Sequence, residues 1–289
     1  MNPHKRRYRP GSDAPIATPS AMPETLNLAI WQAPYLDTPA QAVARLDTIA
    51  KQAQAQGADL LLCPEMGLTG YAIGPERAAA LAEPADGPLA QAVGTIAQHQ
   101  GIAVVYGYPE RHPDGEKPFN AAQAIGPHGE SLGHYRKTHL YGGLDHAQFS
   151  AGGAASQVFE WRGWRLGLLI CYDVEFPETV RGLALQGADA VLVPTANMVG
   201  FDEVSTLLVP ARACENRLYL AYANACGSEG DTHYNGLSTA ADAQGAVIAQ
   251  AGRSEGLMVA SLTRSALLAA RQHGYLRARR PDLYHPLAD

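Results

Sequence analysis

Residues 168–178 read LLICYDVEFPE: an apolar run enters Cys171, and the chain then turns acidic at Asp173, Glu175 and Glu178. A thiolate is a strong nucleophile, but nearby carboxylates oppose its formation, so chemistry at Cys171 requires a cation and a base from elsewhere in the chain. Two residues qualify by placement. Glu65 follows the strand-like run DLLLCP and Lys137 follows GHYR, just as Cys171 follows RLGLLI. In open α/β sheets, reactive groups gather beyond the carboxyl ends of strands. Each residue also has a plain reading: Glu65 as a first-turn helix carboxylate, Lys137 as a solvated surface lysine, Cys171 as a small buried hydrophobe. An acid, a cation and a thiol set alike on three strands favour a shared site over three coincidences.

The elements that must position them alternate in type. LNLAIWQA, DLLLCPE and IAVVYGYPE read as strands, and AQAVARLDTIAKQAQAQGA and GPLAQAVGTIAQHQG have the three- and four-residue apolar spacing of helices. FNAAQAIGP and GESLGHYRK form a hairpin signal around polar turn residues. RLGLLICYD and DAVLVPTAN read as strands flanking the helical TVRGLALQGA. STLLVPARACENR is helical, and LYLAYANACG and STAADAQGAVIAQAG supply further strands. The segments QGADLLLCPE and QGADAVLVPTAN echo each other as helix end, Gly stop, Asp and strand, which fits either two comparable halves or ordinary loop chemistry. Such alternation, interrupted by hairpins, predicts an α/β fold with mixed sheets.

The chain has 289 residues, long for one domain but without a linker signal after residue 24. Three segments follow: an extended or disordered tail over 1–24, one domain over 25–265, and a C-terminal extension over 266–289 expected to pack at a subunit interface. A net charge of -6 gives no basic footprint for nucleic acid, and no apolar run approaches a membrane span. The N-terminus lacks the apolar core of a secretory signal. Cys63, Cys171, Cys214 and Cys226 form no C-x-x-C pair, and the ten histidines show no ligand spacing. These features predict no disulfide, no metal and a cytoplasmic location.

The motifs CPEMGLTGY, HYRKTHLYG and LLICYDVEFPE, followed by RACENRLYLAYAN and YNGLSTAADAQGAVIAQAG, resemble the signature segments of the nitrilase superfamily of carbon–nitrogen hydrolases. The resemblance runs from about Leu26 to about Leu262. It implies a four-layer α-β-β-α sandwich that forms a homodimer or larger homo-oligomer, with Glu65, Lys137 and Cys171 as a catalytic set and no cofactor. Lys137 would then supply the cation for the thiolate, Glu65 the base, and the Tyr172 backbone N–H a second oxyanion donor. Asp173 and Glu178 would brace the helix start.

A second family glutamate stands four residues before the Phe of an F-x-x-G segment. Here LDHAQFSAG places Asp145 there, one methylene shorter, to orient Lys137 or the substrate, or to serve as a turn residue. Tyr172 and Asp173 after the cysteine resemble the amidase form rather than the Trp-Glu of nitrilases proper. The implied reaction is hydrolysis of a small carboxamide through a thioester, with N-carbamoyl amine or amino acid hydrolysis, or nitrile hydrolysis, as the alternative. Asn197, Tyr71 and Tyr141 are candidate pocket residues. Arg212, Glu215 and Asn224 are read as structural, and Cys63 and Cys214 as core. A papain-like pairing of Cys171 with His139 lacks the sequence context of that family.

Overall fold

The computed structural model describes residues 23–284; the expected tail up to residue 22 and the last five residues lie outside them. In chain order the elements are β1 (Thr25–Gln32), α1 (Pro39–Ala55), β2 (Leu60–Leu62), α2 (Pro75–Ala80), α3 (Pro88–Gln100), β3 (Ala103–Glu110), β4 (Phe119–Ile125) and β5 (Ser131–Arg136). Then come α4 (Gly142–Gln148), β6 (Phe159–Trp161), β7 (Trp164–Leu168), α5 (Pro177–Leu185), β8 (Ala190–Thr195), α6 (Val209–Asn216) and β9 (Tyr219–Asn224). The chain closes with β10 (Cys226–Glu229), β11 (Thr232–Asn235), β12 (Thr239–Ala241), β13 (Val247–Gln250), β14 (Gly256–Thr263) and α7 (Arg264–Arg271).

Two six-stranded sheets result, ordered β14-β1-β2-β3-β4-β5 and β13-β12-β9-β8-β7-β6. Each has a parallel centre, β1-β2-β3 in one and β7-β8-β9 in the other, with antiparallel flanks. Period-two alternation decides the layers. In β1, Leu26, Leu28 and Ile30 face the second sheet, whereas Ala29 and Trp31 pack with Leu46, Ile49 and Ala50 of α1 and Val93 and Ile96 of α3. Leu183 of α5 and Val209 of α6 cover the far side of the second sheet. The architecture is the expected four-layer sandwich with two mixed sheets. Because both faces of the central strands are covered, they read as unbroken apolar runs rather than alternating ones.

The QGAD echo has a structural counterpart. Gly57 and Gly187 take positive φ at the two helix ends. The Asp59 carboxylate accepts the Asn27 backbone N–H of β1, and the Asp189 carboxylate accepts the Arg165 backbone N–H of β7. Each Asp pins the start of one strand to its parallel neighbour at the same place in its own sheet.

The structure departs from the sequence reading in several places. The strand through RLGLLICYD stops at Leu168, since Cys171 opens a 3-10 turn over Cys171–Glu175. The short helices α2 and α4, and β14 with α7, carried too little periodicity to be seen. The domain boundary drawn at residue 265 cuts α7, whose Leu267 and Ala270 are buried in the core and whose Arg271 donates to the Asp189 carboxylate at 2.8 Å. The folded unit therefore reaches past that boundary. Beyond it lie two short 3-10 turns, Tyr275–Ala278 and Pro281–Leu283. Cys214 is half-buried rather than a core residue, and all four cysteines are free. Among the described residues, no helix is long and apolar enough to cross a membrane.

Removing the buried Asp189 carboxylate orphans the Arg165 backbone N–H and strips the Arg271 guanidinium of its ion-pair partner, leaving it two backbone carbonyls. Asp189→Ala should cost about 2 kcal/mol of stability, and Asp59→Ala, at a half-buried position, about 1 kcal/mol. Urea unfolding read by circular dichroism checks both; two variants indistinguishable from the parent would refute the pinning role.

Candidate active site

The carboxyl ends of the two sheets meet at three loops. After β2 the chain turns through Glu65 and Met66, and the Glu65 N–H donates to the Thr195 carbonyl at the end of β8, 3.2 Å away, joining one sheet to the other. Gly107 of β3 allows this approach: a Cβ there would lie 2.6 Å from the Met66 nitrogen. After β5 the Lys137 N–H donates to the Asn120 carbonyl at 2.8 Å, extending the β4–β5 pairing by one residue. After β7 the chain enters Cys171 with φ 47, left-handed backbone that non-glycine residues adopt at some strain and that turns the side chain out of the strand direction.

Glu65 and Lys137 meet. Both are fully buried, and the Lys137 Nζ donates to Glu65 Oε1 at 2.8 Å. It also donates to Asp145 Oδ2 at 2.7 Å. Asp145, near the start of α4, is fully buried and receives the Tyr141 backbone N–H at 2.9 Å and the Tyr71 hydroxyl at 2.8 Å. It is thus an ion-pair partner of the lysine and not merely a turn residue. The Tyr71 ring centroid lies 5.8 Å from the ammonium. An ammonium has three N–H donors, so these two carboxylates leave one for another acceptor.

The thiol sits next to this pair. Its sulfur faces the Thr195 side chain and the Ala196 backbone N–H, which favour the charged form, as does Lys137. Burial, followed by the charge of Glu65, outweighs them and pushes the Cys171 thiol up. Lys137 acts in the expected sense, but its ammonium is already committed to two carboxylates, so it lowers the thiol less than burial and Glu65 raise it. Burial, with Asp145 adding to it, raises the Glu65 carboxyl against the opposing effect of Lys137. For Lys137, burial favours the neutral amine, but Glu65 and Asp145 overcome it and hold the side chain firmly protonated.

Asp173 resolves the acidic turn after the cysteine. Its carboxylate is fully buried and both oxygens are taken up by neighbouring donors: Oδ2 accepts the Ile170 N–H at 3.1 Å, and Oδ1 accepts the His139 N–H and the Thr138 hydroxyl, both at 3.0 Å. One carboxylate thereby clamps the cysteine turn to the segment that follows Lys137. Glu178 lies exposed in the first turn of α5. His139 binds Asp173 through Nδ1 at 2.8 Å and stacks on Phe176, an arrangement that occupies it away from the thiol.

Cys171 opens into a cavity of about 240 Å³ whose walls include Tyr71, Tyr141, Tyr172 and Asn197. Asn197 touches this space, but its side chain is committed to backbone: it donates to the Phe201 carbonyl and accepts the Met198 N–H. Arg212 pairs with Glu215 at 3.3 Å, and Asn224 is a buried cross-link to the Asn197 backbone, in line with structural roles.

Three residues went unread in the sequence. Asn120 of β4 donates to Glu65 Oε1 at 2.6 Å; a lone amide inside FNAAQAI was the available signal. Thr195 touches both the thiol and the Glu65 backbone. Glu229, at the end of β10, accepts the Tyr71 and Ala72 N–H groups and the Tyr234 hydroxyl, and no local pattern announced it.

The arrangement can take a proton from a thiol beside a small pocket and present an N–H to a developing negative charge. The comparisons agree with such chemistry. Residues 27–272 match the carbon–nitrogen hydrolase family. The chain is 47% identical to a protein of Pseudomonas protegens called "Hydrolase in pqqF 5'region", over 97% of this chain and 99% of that one. It is 39% identical to an (R)-stereoselective amidase of Pseudomonas sp, over 77% of this chain and 80% of the other. A solved amidase from Nesterenkonia sp. AN1, with acrylamide added at its active-site cysteine, superposes with a TM-score of 0.78 at 35% identity, covering 91% of this chain and 99% of that one. Family match, relatives and fold coincide, and this chain is a member of the carbon–nitrogen hydrolase family.

Proposed function

We propose that the protein hydrolyses small carboxamides to carboxylic acid and ammonia through a thioester on Cys171. The observation that carries this reading is the buried Lys137 ammonium held between Glu65 and Asp145 beside a thiol that opens into a small cavity. Amidases among the similar proteins support the same class. Glu65 takes the Cys171 proton as the sulfur attacks the amide carbon. The remaining Lys137 N–H and the Tyr172 backbone N–H receive the oxyanion, each such donor contributing roughly 3 kcal/mol. The C–N bond breaks as Glu65 passes its proton to the departing amine, giving ammonia and a thioester. Glu65 then deprotonates a water that attacks the thioester; the C–S bond breaks, and the proton returns to the sulfur.

A protonated resting thiol suits this sequence, because the base and the nucleophile must exchange one proton in both directions. Asp145 acts through Lys137, fixing the ammonium where the oxyanion forms. A cavity of about 240 Å³ matches a small acyl group. Its lining also carries carboxylates but no cation, which disfavours the anionic N-carbamoyl amino acids among the alternatives.

An ammonia-release screen over carboxamides, nitriles and N-carbamoyl compounds tests the reading; release confined to nitriles or N-carbamoyl compounds would overturn it. Cys171→Ala should lower kcat by about four orders of magnitude or more with the circular dichroism spectrum unchanged. Intact-mass detection of an acyl adduct on Glu65→Gln, absent from Cys171→Ala, identifies the nucleophile. Because the Glu65 carboxyl lies above its ordinary 4.5, kcat/KM should fall with decreasing pH through a limb above that value. Asp145→Asn should lower kcat by about 100-fold. Since Asp145 is one of the groups that raise Glu65, the same variant should move the acid limb to lower pH, a shift that loss of packing alone does not produce.

A further inference from the structure

The cavity beside Cys171 has a charge pattern that the hydrolytic chemistry does not use. Four aromatic rings, those of Tyr71, Tyr141, Tyr172 and Phe201, line it together with two carboxylates, Glu175 and Glu203. No lysine, arginine or histidine is among its lining residues. Glu175 is half-buried on the 3-10 turn that Cys171 opens, and Glu203 is exposed just before the helical segment Val204–Leu208. Among the described residues, no salt bridge or side-chain hydrogen bond reaches either carboxylate.

The neighbouring cations are already engaged. Lys137 is shared between Glu65 and Asp145. The Arg212 guanidinium donates to the Val174 and Glu175 carbonyls at 3.1 and 2.7 Å and pairs with Glu215. Burial, and then the charge of Glu203, push the Glu175 carboxyl above its ordinary value, while Lys137 and Arg212 only partly offset them. A half-buried carboxylate whose charge is only partly offset, with a second carboxylate at its exposed rim, favours a cationic ligand in the space between them. The rings act in the same sense. Tyr141 stands edge-to-face with both Tyr172 and Phe201, so the rings lie at steep angles to one another around the space, and aromatic faces attract cations.

We propose that this cavity selects amides whose acyl chain carries a protonated amine, with Glu175 and Glu203 as the residues that determine this specificity. The inference rests on the amidase reading and names its substrate class: amino-substituted carboxamides ahead of neutral ones, and neutral ones ahead of carboxylate-bearing ones.

Three probes of matched length and different charge test it at pH 7: β-alaninamide (cationic), butyramide (neutral) and succinamate (anionic). The parent protein should show kcat/KM for β-alaninamide about tenfold or more above butyramide, with succinamate about tenfold or more below butyramide. Raising the ionic strength should compress the first ratio. Glu203→Gln and Glu175→Gln should each bring the β-alaninamide to butyramide ratio toward one, and the double variant should nearly abolish the preference. The ratio is taken within each variant, so a general loss of activity does not imitate the effect.

Calorimetry on Cys171→Ala reads recognition apart from turnover and should find β-alaninamide bound more tightly than butyramide. Butyramide hydrolysed as well as β-alaninamide, or a preference untouched by the double variant, overturns the inference and leaves the amidase reading standing. No ammonia from any of the three, with tighter β-alaninamide binding to Cys171→Ala, would instead sink the amidase reading while the cation site holds.

Discussion

A lysine ammonium with no exposure to solvent is the constraint around which the rest of this site is arranged. Removing such a charge from water is costly, and the cost is met only where opposite charge and hydrogen bonds surround it. Lys137 therefore requires Glu65, on the loop after β2, and Asp145, in the first turn of α4, 72 and 8 residues away in sequence. Those carboxylates in turn need their own donors. Asn120 serves Glu65; Tyr71 and the Tyr141 N–H serve Asp145; Glu229 fixes the backbone of Tyr71. Each step outward from the ammonium recruits another polar group, because an unpaired polar group in the interior is expensive, although Glu65 Oε2 and Asn120 Oδ1 are left without a protein partner among the described residues.

The same network explains how Asp145, with its short side chain, serves the lysine. It reaches Nζ at 2.7 Å from the first turn of α4, where the Tyr141 N–H donates to the same carboxylate oxygen. Electrostatics then divides the labour among the acids around Cys171. Asp173 is spent on backbone and on His139, joining the cysteine turn to the lysine segment. Glu65 faces the thiol and, with burial, keeps it protonated. Glu175 and Glu203 face the ligand space. The crowding of carboxylates near a nucleophile, which looks self-defeating in one dimension, resolves into three separate environments.

Placement at the meeting of two sheets follows from the fold's internal likeness. Asp59 and Asp189 perform the same task at the same position in each parallel core, and the carboxyl ends of β2 and β8 are close enough for the Glu65 N–H to reach the Thr195 carbonyl. A site supplied from both sheets is held by the whole sandwich rather than by one loop. Its precision then depends on inter-sheet packing among residues such as Ile30, Leu62 and Leu192.

Local pattern was sufficient for most of the strands and the long helices, and it singled out Glu65, Lys137 and Cys171 as candidates, because apolar runs, helical spacing and a polar residue at a strand end are all written within a dozen positions. The motifs carried the family, and with it the layer count. Tertiary structure alone decided the charge states and the partners. That Lys137 is committed to two carboxylates, that the thiol rests protonated, that Asp173 braces rather than opposes, and that Asn197 is saturated by backbone all depend on residues brought together across tens or hundreds of positions. Asn120 left a faint trace as an amide in an apolar strand and Glu175 one as part of the acidic turn after Cys171, whereas Glu229 and Glu203 left none. A side chain's type is fixed by the sequence position, but its burial and its neighbours, which set its energy and its chemistry, exist only once the two sheets have packed.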